Sequence, residues 1–403
     1  MMKVRLLHVD VNATFINPTR NLLPLALARG CETRFFGPGY VTTEVLARGL
    51  AAFIATEGPF DVISSNSLVL FAEKPTLSAY MKAVRKAYAF SWDENDLAYL
   101  AIIAADFIAQ SIPRLVILLE NDFYNWTGRD IERVNQAGDF FIGFGEEFCP
   151  FVKDMPFLSR ERFAASATDM WAEFCRSQRH RVGSLLHFVA DTELDVTPVS
   201  VRPEAWSVMG VQYHSRQVAR DTLIANGIQP VIDTRMRKFV SLLKKLGLPG
   251  SERRFIQTLL NGDFAQRLRA CRYSYTCGSA LDMPIRKFFE IPANGALLVC
   301  RPFHGFAAAG FEDGVNCVVS EPEALGAVNE KVEAAKHAFD SVAAAGQRLI
   351  VGQHSVEARA RHFAAIIGAI AEGRFFGSFW DAGEHRLRSS RSEAASKDCE
   401  GSV

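Results

Sequence analysis

The stretch that decides the fold is VRLLHVDVNATFINPTRNLLPLALARG, residues 4–30. Its first eight residues form a run rich in branched apolar side chains, as a strand requires. From Asn17 onward the apolar residues fall at helical spacing, and Gly30 closes the run. The same order then recurs. ETRFFGPG (32–39) reads as strand, TEVLARGLAAFIATEG (43–58) as helix and FDVISSNS (60–67) as strand. A long helical stretch from Lys74 to Gln110 leads to RLVILLEND (114–122), DIERVNQAG (130–138) and DFFIGFG (139–145). Strands alternating with helices imply parallel βαβ units and a doubly wound α/β sheet. GSLLHFVADTELDVTP (183–198) ends this half.

After VSVRPEAW (199–206), which reads as a polar, proline-containing linker, the pattern restarts. WSVMGVQ is a strand, SRQVARDTLIANG a helix, QPVID a strand and RMRKFVSLLKKLG a helix. FIQTLL, DFAQRLRAC, the strands RYSYTC, GALLVC and NCVVS, and the helix EPEALGAVNEKVEAAKHAF follow. The simplest assembly is two Rossmann-like doubly wound domains facing a central cleft, spanning 1–202 and 203–373. RFFGSFWDAG offers aromatic anchors for a return of residues 374–387 to the first domain. The tail, 388–403, is polar, rich in small residues and expected to be disordered.

Composition narrows the function. The 403 residues suit two ordinary domains, and 49% hydrophobic with 22% charged residues is a globular balance. Lys+Arg and Asp+Glu are equal at 45 each, so no bulk attraction to nucleic acid or an anionic membrane is expected. MMKVRLLHVDVNATF lacks the features of a secretory leader. The longest apolar segment, LAYLAIIAADFIAQSI (97–112), is interrupted by Asp106 and is shorter than the ~20 residues of a membrane span. The eight cysteines are scattered, with no CxxC or Cys/His pairing. These features imply a reducing cytoplasm and argue against a structural zinc site.

Ligands of open α/β sheets bind beyond the carboxyl ends of the strands. That rule singles out the loops 10–20, 120–127, 212–216 and 277–286. The last of these enters LDMPIRKFFEIPANGALLVCRP (281–302), where Asp282, Arg286, Lys287 and Glu290 crowd against an apolar run. Guanidinium and ammonium groups and helix N-termini are the usual partners of a diphosphate. Pro284 suits the first turn of a helix here. Neighbouring residues on a helix diverge by about 100°, so only one of Arg286 and Lys287 is expected to reach such a ligand. The bland alternative is a core salt bridge between Glu290 and Arg286, four residues apart.

The residues IRKFFEIPANGALLVCRP, FEDGVNCVV and AAAGQRLIVGQHSVEARARHF carry a resemblance. In order and spacing they resemble the spore-maturation-protein-like glycosyltransferases. The shared pattern is Arg/Lys-x-Phe-Glu-x-x-Ala-x-Gly, then Phe-x-Asp-Gly, then Gly and His eight positions apart. The likeness covers roughly residues 200–372. It implies a GT-B fold and transfer of a sugar from a nucleoside diphosphate sugar. The implied acceptor-binding domain is the N-terminal one, and no bound metal or other cofactor is implied. Asp282 and Glu290 also occupy the frame of the Glu-x7-Glu pair of retaining GT-B enzymes. There the second acid accepts hydrogen bonds from ribose hydroxyls. Met283, Pro284 and Ile285 replace the usual Gly-Phe-Gly, a departure that touches the role of Asp282. The family pattern favours Lys287 over Arg286 as the phosphate cation.

The implied donor site therefore comprises Glu290, Lys287, Arg286, Arg216, Asp282, Gly278 and Ser279. Arg216 follows the first strand of the second half, and Gly278 and Ser279 follow RYSYTC, where backbone N–H groups can face a phosphate. Candidate general bases are Asp122, after LVILLEN, and Asp10, after VRLLHV. Phe123, Tyr124 and Trp126 offer faces for a sugar ring. The acceptor, whether glycan, lipid-linked glycan, protein or small molecule, is not specified by the sequence. The rival readings are a nucleotide-sugar epimerase or hydrolase of the same fold and an inactive sugar-nucleotide-binding protein. No G-x-G-x-x-G supports a nicotinamide enzyme.

Overall fold

The structure is a computed structural model. It describes the chain except residues 1–2, 13–17, 71–93, 119–126, 150–164, 211–212, 233–238, 241, 244, 247–253, 279–281 and 396–403. The chain divides into two compact units: 1–186 with 359–379 and 385–403, and 187–358 with 380–384.

The first unit is built on a six-stranded sheet in the order β2-β1-β3-β4-β5-β6. Its strands are β1 (Arg5–Val9), β2 (Glu32–Phe36), β3 (Val62–Asn66), β4 (Arg114–Leu118), β5 (Phe140–Gly143) and β6 (Val182–Ser184). Every neighbouring pair is parallel. Leu6 to Val9 are all buried, as expected of a parallel strand covered on both faces. The polar members of β3 are buried because the sheet supplies partners. Ser65 Oγ donates to the Val9 carbonyl at 2.9 Å, and Ser64 Oγ lies 2.8 Å from His8 Nδ1. The helix Pro18–Gly30 ends in glycine for a steric reason. A Cβ on Gly30 would lie 2.5 Å from the Ala360 carbonyl oxygen of the helix Val356–Ala371.

The second unit holds a four-stranded parallel sheet, β10-β9-β8-β7, from Glu204–Ser207 (β7), Cys271–Thr276 (β8), Leu297–Cys300 (β9) and Val318–Val319 (β10). Val231 continues it beyond β7, bridging Ser207 in parallel and exchanging backbone hydrogen bonds with Trp206 and Val208 at 2.9 Å each. The chain thus leaves β7, passes through the helix His214–Ala225 to one side of it, and returns on the other side as β8. The strand order reverses at β7. The carboxyl ends of β7 and β8 therefore flank a topological switch point, where an open sheet leaves a crevice. Trp206, Tyr273, Tyr275, Leu297, Val299, Leu325 and Phe339 pack the core beneath.

Three expectations are revised. VSVRPEAW is no linker: Val199, Arg202 and Trp206 are all buried in the second unit. Arg202 is tolerated there because its guanidinium donates to the carbonyls of Thr197 (2.8 Å) and Asn294 (2.9 Å). The chain crosses between units at Leu186/His187, rather than after 202. Residues 388–395 of the expected tail are ordered, with a short helix Arg391–Ala395, and the rest of it lies outside the described residues. The anchor of the ordered part is Arg388, which is buried, lies 3.5 Å from Glu146 and covers the Phe379 ring at 4.8 Å. Among the described residues no helix is long and apolar enough to cross a membrane.

Glu146 also pairs with Arg179 at 2.7 Å, so Arg388 shares a partly buried carboxylate. Arg388→Ala removes one of its cations and the cover over Phe379. It is expected to lower the unfolding free energy by about 1–3 kcal/mol in chemical denaturation.

Candidate functional site

At the switch point the chain leaves β7 through buried Val208 and Met209 and reaches Gly210 at φ 101°. Only glycine enters that region readily, and a larger residue would have to push aside the end of the Lys287 side chain. A Cβ at Gly210 would lie 2.3 Å from Lys287 Cε, 3.2 Å from Lys287 Nζ and 3.1 Å from Arg216 Nη1. Two cationic side chains from two different helices thus meet on one bare backbone.

Arg216 sits in the first turn of the helix His214–Ala225 and is 1% exposed. Its Nη2 donates to Thr276 Oγ1 at 2.8 Å, which ties the helix to the last residue of β8. Its guanidinium also lies over the Tyr213 ring at 5.3 Å. Burial pulls its pKa below the usual arginine range, and nearby Cys277, Tyr213, Tyr275 and Glu290 oppose that pull. Lys287 opens the helix Lys287–Ala293, with its ammonium 4.1 Å from the centre of the Phe264 ring and 3.7 Å from Glu290 Oε2.

Arg286 points elsewhere. Its Nη1 donates to Glu290 Oε1, its Nη2 to Glu193 Oε1, and its Nε to the Phe188 carbonyl at 3.4 Å. The salt bridge entertained from the sequence is therefore present, and Lys287 is the member of the pair that turns toward Arg216. Burial pushes the Glu193 carboxyl above its ordinary value of 4.5; Arg286 pulls it back, and Glu290 adds repulsion.

The helix carrying these charges starts later than expected, with Pro284 three residues before it rather than in its first turn. Its N-terminal N–H groups are already engaged. Phe288 N–H donates to the Ile285 carbonyl, and those of Phe289 and Glu290 to the Arg286 carbonyl. Asp282 adopts φ 51° and accepts the His304 N–H on its carbonyl. Burial raises its pKa, Arg301 lowers it and Glu321 raises it, so its carboxyl belongs to the Arg301–Glu321 neighbourhood. Gly278 packs against the Asp282 backbone, where a Cβ would come within 3.0 Å. Ser279 lies outside the described residues.

In the first unit Asp10 follows β1 and is 6% exposed. Its Oδ1 accepts the Val11 N–H at 2.6 Å, and its Oδ2 lies 3.5 Å from His8 Nε2. Asp122, Phe123, Tyr124 and Trp126 lie outside the described residues. His354 is a packing residue, stacked on Trp380 at 4.9 Å with Nε2 3.1 Å from the Ala309 carbonyl. Asp313 closes a turn by accepting the Val319 N–H at 2.8 Å.

Sequence reasoning missed Gly210, Thr276 and Glu193. A lone glycine inside the predicted strand WSVMGVQ was a usable signal for Gly210, since it marks a close approach of backbone. Glu193 is 93 residues from Arg286, and no local pattern links them.

With this geometry established, comparison with known proteins is informative. Residues 235–365 match the family described as glycosyl transferase-like. No curated protein sequence matches the chain. Among solved structures, the Anabaena protein HepE, crystallised in complex with UDP, superposes with a TM-score of 0.50 at 12% identity, covering 91% of this chain and 100% of that one. A Rickettsia africae glycosyltransferase gives 0.46 at 12% identity, covering 91% of this chain and 98% of that one. The sucrose-phosphate synthase of Thermosynechococcus elongatus gives 0.47 at 10%, covering 92% and 100%. The α/β architecture is that of the GT-B glycosyltransferases, with two Rossmann-like units.

Two outcomes follow from the packing. Gly210→Ala forces a strained φ and displaces Lys287. It is expected to cost about 1–3 kcal/mol, read as a lower denaturant midpoint. For Glu193, the folded state holds its proton more tightly than the unfolded chain does. Its contribution to stability is therefore full below about pH 4.5 and is lost as pH rises through the folded pKa. Denaturant midpoints measured across that window are expected to decline less in Glu193→Gln than in the wild type.

Proposed function

We propose that the chain is a glycosyltransferase that moves a hexosyl or related group from a nucleoside diphosphate sugar to an acceptor hydroxyl. The observation that carries this reading is the meeting of Arg216 and Lys287 at Gly210, on the switch point of a parallel sheet. A diphosphate is the ligand whose charge such a pair suits. The glycosyl transferase-like match over residues 235–365 and the UDP held by HepE, which shares the fold, support the same class of donor.

In this reading Lys287 and Arg216 offset diphosphate charge. They act most strongly as the nucleoside diphosphate leaves and its negative charge grows, because only contacts that tighten in the transition state accelerate the step. Glu290 accepts the ribose hydroxyls through the carboxylate edge that Arg286 does not use. Asp282 and Gly278 border the same loop. The first unit supplies the acceptor site, with Asp10 or Asp122 as general base if the reaction inverts configuration. Protein cations take the place of a metal, no resident cofactor is required, and the enzyme acts in the cytoplasm.

Calorimetric titration of uridine, guanosine and adenosine diphosphates tests the assignment. Glu290→Gln replaces an anionic acceptor with an amide and is expected to weaken the bound nucleotide by roughly 1.5–3 kcal/mol, about one to two orders of magnitude in Kd. Lys287→Ala is expected to weaken the diphosphates while sparing the free nucleosides. Unchanged affinity in a Glu290→Gln protein with a lowered melting temperature would make Glu290 a core ion-pair partner only.

A further inference from the structure

Of the two cations just before Glu290, Lys287 meets Gly210 and Arg286 is held elsewhere. Arg286 uses all three guanidinium nitrogens within the second unit: Nη1 on Glu290, Nη2 on Glu193 and Nε on the Phe188 carbonyl. Glu193 is itself fixed, because its Oε1 also accepts the Ala190 N–H at 2.9 Å. The three side chains are 10–18% exposed, so the chain of contacts is largely shielded from competing water. A guanidinium is a rigid planar fork, so fixing two of its edges fixes the third. The carboxylate plane of Glu290 is thereby set by a residue 97 positions earlier in the chain, with one oxygen held by Arg286 and the other 3.7 Å from Lys287.

We infer that Glu193 and Arg286 are positioning residues for nucleoside recognition: Glu193 orients Arg286, which in turn presents the second oxygen of Glu290 to the ribose of the donor. This rests on the reading of Glu290 as the ribose acceptor, and it removes Arg286 from the groups that touch the diphosphate. The contribution expected is to discrimination of the sugar hydroxyls, not to gross affinity for phosphate.

The probe is whichever of uridine, guanosine and adenosine diphosphate binds most tightly, compared with its 2′,3′-dideoxy form and with inorganic pyrophosphate. In the wild type the ribose form is expected to bind about ten- to a hundredfold more tightly than the dideoxy form, as a hydrogen bond to a carboxylate requires. Glu193→Ala and Arg286→Lys are expected to bring that ratio to within about threefold, the lysine lacking the fork that spans two carboxylates. Pyrophosphate affinity is expected to hold in both. Glu193→Gln keeps an acceptor oxygen for Arg286 and is expected to retain most of the ratio. A merely structural relay would lower melting temperature and leave the ratio of the folded protein unchanged, which overturns the inference. If Glu290→Gln leaves the ratio unchanged, or no diphosphate binds, the underlying ribose assignment falls instead. A collapsed ratio in Glu290→Gln with an intact ratio in both Glu193→Ala and Arg286→Lys sinks the relay alone.

Discussion

Everything at the carboxyl edge of the second sheet depends on a close approach of charge to bare backbone at Gly210. Arg216 and Lys287 carry like charges, and like charges in a partly desolvated site repel strongly unless carboxylates compensate them. Glu290 supplies that compensation from one side, and Arg286 with Glu193 keeps Glu290 in place. The five side chains sum to one positive charge at neutral pH if all are ionised. That balance leaves the crevice attractive to an anion while keeping the protein stable without one. The absence of a Cβ at Gly210 is what lets the two cations share the position.

The fold makes this juxtaposition cheap to maintain. Arg216 comes from the helix after β7 and is tied to Thr276 at the end of β8, while Lys287 comes from the segment between β8 and β9. Parallel strands point every one of these connections to the same edge, and the reversal of order at β7 leaves room between them. The core under the edge is aromatic and fully buried at Trp206, Tyr273 and Tyr275, which fixes the strand ends from which the loops depart.

Much of this was legible in the sequence, for identifiable reasons. The strand and helix alternation was readable because parallel strands are apolar on both faces and helices keep their own period, so β1, β4 and β9 announced themselves. Arg216 was singled out because it follows a predicted strand, and Lys287 and Glu290 because they lie in the stretch that carries the resemblance. VSVRPEAW was misjudged because a proline and an arginine look like surface chain, whereas Arg202 is buried by hydrogen bonding to carbonyls far away in sequence. The start of the tail, residues 388–395, was misread for a similar reason: Arg388 is placed by Glu146 and Phe379, not by its neighbours. Glu193 was invisible because its role depends on a tertiary contact. Pattern reading finds local periodicity and misses long-range polar pairing.

The engagement of the first N–H groups of the helix Lys287–Ala293 changes how an anion would be held there. A longer helix with an open N-terminus offers several backbone donors and the favourable end of a dipole. Here Phe288, Phe289 and Glu290 have spent their N–H groups on Ile285 and Arg286. Charge must then be met by side chains, whose long flexible stems lose entropy when fixed. The structure limits that loss in advance, since Lys287 rests on the Phe264 ring and Arg216 on the Tyr213 ring and Thr276. Pre-organised cations cost little further ordering when an anion arrives. The aromatic and hydroxyl partners of the two cations therefore set how an anion can be met there as much as the charges do.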